Sequence, residues 1–160
     1  MWILKLLLIG VFFLVFFQDN KDRKVYWFLY PIIGILVFVL QIKAISIYPT
    51  LINTGFNLGF VSFLLLVCFV YAKLKLKKPL LKEVFGLGDL LFFIAISFSF
   101  SIVSFLILFI FALLFSLLLH LVLKHRQSEK TVPLAGYMSL FFGVVYGMSF
   151  FWECNFLYAY

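Results

Sequence analysis

Long runs of apolar residues, interrupted by short polar intervals, make up almost the whole chain. Residues 2–17 are apolar except for Lys5, and residues 26–42, 55–71 and 134–152 carry no charge at all. Between residues 85 and 123 the one charge is Asp89, with His120 near the end. None of these runs alternates polar with apolar positions as barrel strands do, so the pattern predicts helices. At about 1.5 Å per residue, residues 85–123 would reach nearly twice through a hydrocarbon core of about 30 Å, so this stretch must turn back on itself. The serine-rich piece around Ser97, Ser99, Ser101 and Ser104 is the expected turn.

The expectation is therefore an all-α membrane protein, a polytopic bundle of six transmembrane helices forming a single domain over residues 1–160, with the lipid bilayer as a partner. The spans are expected at about 2–17, 26–42, 55–71, 85–101, 104–123 and 134–152. Gln18–Val25, Lys43–Thr54, Ala72–Val84 and Lys124–Pro133 read as loops, the second because it contains Pro49 and Asn53. Trp27 and Tyr30 are placed at the membrane–water interface, where amphipathic aromatics collect. The first run lacks a small-residue cleavage site after it and reads as a retained helix.

Composition agrees: 66% of the 160 residues are hydrophobic, 22% aromatic and 12% charged, and the mean hydropathy is +1.22. The net charge of +7 comes from short loops, which argues for membrane orientation and against nucleic acid as a partner. Eleven of the thirteen Lys and Arg fall in the first, third and fifth loops, leaving Lys5 and Lys43 elsewhere. Cytoplasmic loops carry such an excess, so these loops are expected in the cytoplasm, with both termini outside the cell (inner) membrane. Cys68 and Cys154 form no CxxC pair, and no metal-ligand cluster is visible, so no metal or other cofactor is expected.

Candidate chemistry then narrows to carboxylates. Asp89 follows Gly86-Leu87-Gly88 at the start of the fourth run, and Asp19 ends the first. A carboxylate at the edge of lipid is costly to maintain and by default marks function, although Asp is also a good helix N-cap. Two chain reversals separate Asp19 from Asp89, so both lie at the same face. Paired Asp side chains share a proton, and one can deprotonate water while the other polarises a carbonyl, the chemistry of aspartyl peptide hydrolysis. His120 reads as a structural interfacial residue and His125 as part of a loop. No HExxH, GxSxG or Walker-type loop competes.

Gly86-Leu87-Gly88-Asp89 resembles the GxGD signature of membrane-embedded aspartyl proteases, and within that class the chain resembles the type IV prepilin peptidases. Their first aspartate lies after an early span in a pattern like Asp-x-(Lys/Arg)-x-Arg-x-(Ile/Val), and Asp19-Asn20-Lys21-Asp22-Arg23-Lys24-Val25 fits it. Val132-Pro133-Leu134-Ala135-Gly136 is similar to the proline-containing start of the family's final helix. The resemblance implies Asp19 and Asp89 as the catalytic pair, with Gly86, Gly88, Lys21 and Arg23 as supporting motif residues and Asp22 as a loop residue. It implies prepilin-like membrane proteins as substrates, cut at the cytoplasmic membrane edge after a short basic leader. Three features depart from the family: Leu91 stands where a lysine is common, Tyr26-Trp27 replaces a Pro-Asn, and the cysteine-rich insertion linked to methyl transfer is missing. The last implies cleavage without N-methylation, or with methylation left to another protein.

Two alternatives stay open at this level. One is a presenilin- or signal-peptide-peptidase-like protease, whose first Asp lies within a span. The other is a non-enzymatic transporter or secretion-system subunit, in which Asp19 and Asp89 bind a proton or cation or pair with a lysine such as Lys21.

Overall fold

A computed structural model of the chain describes residues 1–22, 25–76, 86–123, 133–151 and 157–158. Among these residues the protein is all-helical, without strands: α1 (Trp2–Asp22), α2 (Leu29–Ile45), α3 (Ile47–Tyr71) with a π-helical extension (Ala72–Leu76), α4 (Leu87–Ile96), α5 (Ile102–Leu123) and α6 (Leu134–Phe151). Three are long and apolar enough to cross a membrane, over Trp2–Lys21, Ile47–Leu74 and Ile102–Leu123, and α2, α4 and α6 are shorter apolar helices.

Each long helix turns one stripe inward at the helical spacing of three or four residues. Leu8, Phe12 and Val15 of α1, Ile33, Val37 and Leu40 of α2, and Phe105, Phe109 and Ala112 of α5 are fully buried. The opposite faces are equally apolar but exposed, as at Phe13 and Phe17 of α1, Phe56 and Phe63 of α3 and Val122 of α5. So extensive an exposed apolar surface marks a membrane or interaction surface.

The pair α1 and α6 is the spine of the bundle, and it is antiparallel. At one end Lys5 donates from Nζ to the Ser149 carbonyl, 3.0 Å away, and lies over the Phe150 ring. In the middle Phe12 stacks on Phe142 with centroids 6.4 Å apart. At the other end Asp19 meets Gly136. Phe92 of α4 and Phe100 join this column through Phe142.

Four boundaries differ from the sequence expectations. First, α1 continues through Asp22, so Asp19 and Lys21 are helical and not in a loop. Second, Lys43–Thr54 is not a loop: Ser46 alone separates α2 from α3. Ser46 has φ 76°, its N–H still donates to the Ile42 carbonyl, and Pro49 falls in the first turn of α3, where a missing N–H is tolerated. The Thr50 hydroxyl donates back to the Ser46 carbonyl at 2.7 Å.

Third, the expected fourth span over 85–101 is a helix of ten residues. That is about 15 Å, half a hydrocarbon core. Fourth, α5 begins at Ile102, so the reversal occupies Ser97–Ser101. The serines explain why a run with no Gly or Pro turns here. The Ser97 and Ser99 hydroxyls donate to the carbonyls of Phe93 and Ile96, each of which also accepts from the N–H of the same serine, and such local side-chain bonds compete with continuation of the helix. The Ser101 N–H donates to the Leu157 carbonyl, and the Tyr158 ring lies against Phe100, so residues near the C-terminus pack beneath the short helix.

Asn57 holds this turn from α3, its Nδ2 donating to the carbonyls of Ser97 (3.1 Å) and Phe100 (3.0 Å). Replacing Asn57 with Leu strands both buried carbonyls. It is expected to lower stability by about 1–3 kcal/mol, read as a lower thermal midpoint in detergent; an unchanged midpoint would show that the turn is held otherwise.

Candidate active site

The site is built around the first turn of α6. Pro133 occupies the N-cap position, and its carbonyl accepts the first helical bond, from the Tyr137 N–H at 3.1 Å. Proline has no side-chain acceptor, so the orphan amides that an N-cap Ser or Asp would normally satisfy, those of the second and third helical residues, must find partners elsewhere. They find two carboxylates from distant parts of the chain. The Ala135 N–H donates to Asp89 Oδ1 at 2.8 Å, and the Gly136 N–H donates to Asp19 Oδ2 at 2.7 Å. Successive residues thus bind the two aspartates side by side, at the positive end of a helix dipole.

The supporting glycines act through space. A Cβ on Gly136 would lie 2.8 Å from Asp19 Oδ2 and 2.9 Å from Asp19 Cβ, so the close approach of α1 to α6 requires a residue without one. Gly86 is the extended residue before α4, and a Cβ there would lie 3.1 Å from Asp89 Oδ2. Asp89 is the third residue of α4 and accepts from an amide in the first turn of α6. Both aspartates are half-buried.

Tyr30 is the site residue that sequence reading misplaced. Assigned there to the interface, it is 2% exposed, whereas Trp27 is 72% exposed. The spacing of Tyr30, Ile33, Val37 and Leu40, all on the buried stripe of α2, is the signal that would have found it. Its hydroxyl lies 2.6 Å from where a Cβ on Gly88 would sit, and it is within electrostatic reach of both Asp19 and Asp89.

This contact makes a prediction that is independent of activity. Gly88→Ala is expected to cost about 1–3 kcal/mol by overpacking against a buried, rigid ring. With Tyr30→Phe added, the nearest remaining ring atom is Cζ at 3.6 Å, an ordinary contact. Thermal unfolding should therefore show the double variant restored to within about 0.5 kcal/mol of Tyr30→Phe alone; a penalty that persists would place the hydroxyl elsewhere.

The structure thus brings together Asp19, Asp89, Gly86 and Gly88, and adds Tyr30, Ala135 and Gly136. Lys21 is exposed at the end of α1 with its ammonium over the Phe17 ring. Arg23, His125 and Cys154 lie outside the described residues. His120, in the last turn of α5, has a buried Nδ1 with no hydrogen-bond partner among the described residues. No three His, Cys, Asp or Glu side chains converge among the described residues.

Fold and site together define an apolar helical bundle that carries a carboxylate pair at the N-terminus of its last helix. The chain matches no family model, no curated protein and no solved structure.

Proposed function

We propose that the protein is a membrane-embedded aspartyl endopeptidase that removes the basic leader of type IV prepilin-like precursors at the cytoplasmic edge of the cell membrane. The observation that carries this reading is the meeting of Asp19 and Asp89, 70 residues apart in sequence, on the successive amides of Ala135 and Gly136. All three motifs behind the resemblance, around Asp19, Asp89 and Pro133, contribute to that one point.

In this reading the bundle lies across the bilayer with the loops after α1, α3 and α5 in the cytoplasm and both termini outside. Support comes from the sequence, in which eleven of the thirteen Lys and Arg fall within residues 18–25, 72–84 and 124–133. The half-length α4 then enters from the cytoplasmic end and carries Asp89 on its first turn.

The chemistry needs one proton on the pair. One carboxylate, ionised, takes a proton from water as the water oxygen bonds to the scissile carbonyl carbon. The other, protonated, donates to the carbonyl oxygen. The tetrahedral species collapses as the C–N bond breaks, its hydroxyl proton returns to a carboxylate, and the amine nitrogen takes a proton from the pair. The α6 amides fix the orientation of both side chains throughout, so little reorganisation is needed.

A leader–helix junction peptide tests this, with a hydroxyl-bearing tetrahedral isostere replacing the scissile amide and a photo-crosslinker beside it. A transition-state mimic is expected to bind at least about 10²-fold more tightly than the matching amide peptide. It should label the wild-type protein in membranes and fail to label Asp89→Asn. Labelling indifferent to both aspartates would contradict the reading.

A further inference from the structure

Tyr30 presents a hydroxyl that no hydrogen bond among the described residues uses. Its side chain is 2% exposed, yet Oη has no hydrogen-bond partner among the described residues. A buried hydroxyl left unbonded is costly. Accommodating it adds a second cost, because the first turn of α4 must carry Gly88, a poor helix former, where Ala would collide with Oη at 2.6 Å. Phenylalanine would fill the same space and remove both costs.

The position of the hydroxyl suggests its use. It lies over the residue that precedes Asp89, within electrostatic reach of Asp89 and of Asp19 across the site. Each aspartate, meanwhile, has one oxygen committed to an α6 amide. A phenol stays protonated at neutral pH and donates a single directed hydrogen bond. A donor beside Gly88 and within electrostatic reach of the carboxylate pair, buried and without a partner among the described residues, suits an oxygen on which charge develops during the reaction.

We infer that the Tyr30 hydroxyl donates a hydrogen bond to the oxygen of the scissile carbonyl, acting beside the protonated aspartate as the second donor that holds the tetrahedral species. This assignment rests on the peptidase reading. It makes Tyr30 a catalytic residue on α2, outside all three sequence motifs, and gives Gly88 its reason: a Cβ there would displace the donor.

The test compares wild type, Tyr30→Phe and Asp89→Asn in membranes, with a leader-bearing pilin-like precursor as substrate. Tyr30→Phe is expected to lower kcat by about 10²–10³-fold, as loss of one oxyanion donor does, with KM little changed. Affinity for the tetrahedral isostere should fall in step with kcat/KM, while affinity for the amide peptide holds. Thermal stability should equal or exceed that of wild type, since the lost hydroxyl bonds to none of the described residues. Wild-type kcat in Tyr30→Phe, alongside an inactive Asp89→Asn, overturns the inference and leaves the peptidase reading intact. A Tyr30→Phe protein that fails to fold overturns it too, by showing that the hydroxyl is structural. An inactive wild type removes the peptidase reading and this inference with it.

Discussion

Asparagine in place of Asp19 or Asp89 is expected to leave the protein folded and inserted while lowering precursor cleavage by about 10²–10⁴-fold. The substitution separates the two roles that an aspartate can play here. Asn keeps a carbonyl oxygen and caps a helix as well as Asp does, so the amides of Ala135 and Gly136 retain their acceptors. What Asn cannot do is take a proton from water or deliver one to a carbonyl oxygen. Alanine removes both roles and is expected to cost a further 0.5–2 kcal/mol or so of stability through the lost cap. The comparison of Asn with Ala therefore sorts chemistry from structure at each position. Thermal midpoints and cleavage rates measured on the same membranes give both halves. Full cleavage by either Asn variant would reduce that aspartate to a tertiary cap.

One methyl group on Gly136 is expected to do nearly as much damage. Its Cβ would stand 2.8 Å from Asp19 Oδ2 and 2.9 Å from Asp19 Cβ, pushing α1 off α6 where the carboxylate is held. Gly136→Ala should reduce cleavage by a factor on the order of that for Asp19→Asn and destabilise by about 1–3 kcal/mol. Gly143, two turns further along α6, supplies the control. A Cβ there meets Phe12 Cβ at 3.7 Å, an ordinary contact. Ala is intrinsically the better helix former by roughly 0.8–1 kcal/mol, so Gly143→Ala should be neutral or stabilising and retain activity. Equal effects at the two positions would mean that crowding at Asp19 is not the cause.

The helical class was legible from unbroken apolar runs, the need for a reversal from run length, and its place near Ser97 from the serine-rich piece. The lengths within that stretch were not. Serine hydroxyls bond back to the carbonyls of their own helix end where α4 stops after ten residues, and Asn57 of α3 secures the turn across a gap of 40 residues. Pro49 and Asn53 suggested a loop because each is a poor helix former in isolation. Yet Thr50, Asn53, Thr54 and Asn57 recur at helical spacing and are all buried, which marks them as one polar stripe of α3. In an apolar chain the informative periodicity is that of the polar residues.

At the site, sequence brought Asp19 and Asp89 to one face but gave no reason for contact. That reason is in the backbone. A helix beginning with Pro133 lacks an acceptor of its own, and its amides at Ala135 and Gly136 draw in acceptors that are 46 and 117 residues distant. Tyr30 was hidden differently, by a residue type that suits an interface and a core equally well.

The proposal that the aspartate pair is a proteolytic centre is tested most directly by the intact mass of a leader-bearing pilin-like precursor. The precursor is co-expressed in membranes with wild type, Asp19→Asn or Asp89→Asn, after an established prepilin peptidase has been shown to cleave it. The expected result is a mass lower by the leader alone, with an unmethylated new N-terminus, in wild-type membranes, and a full-length precursor with either variant. A full-length precursor in all three, with the protein folded and inserted, would contradict it.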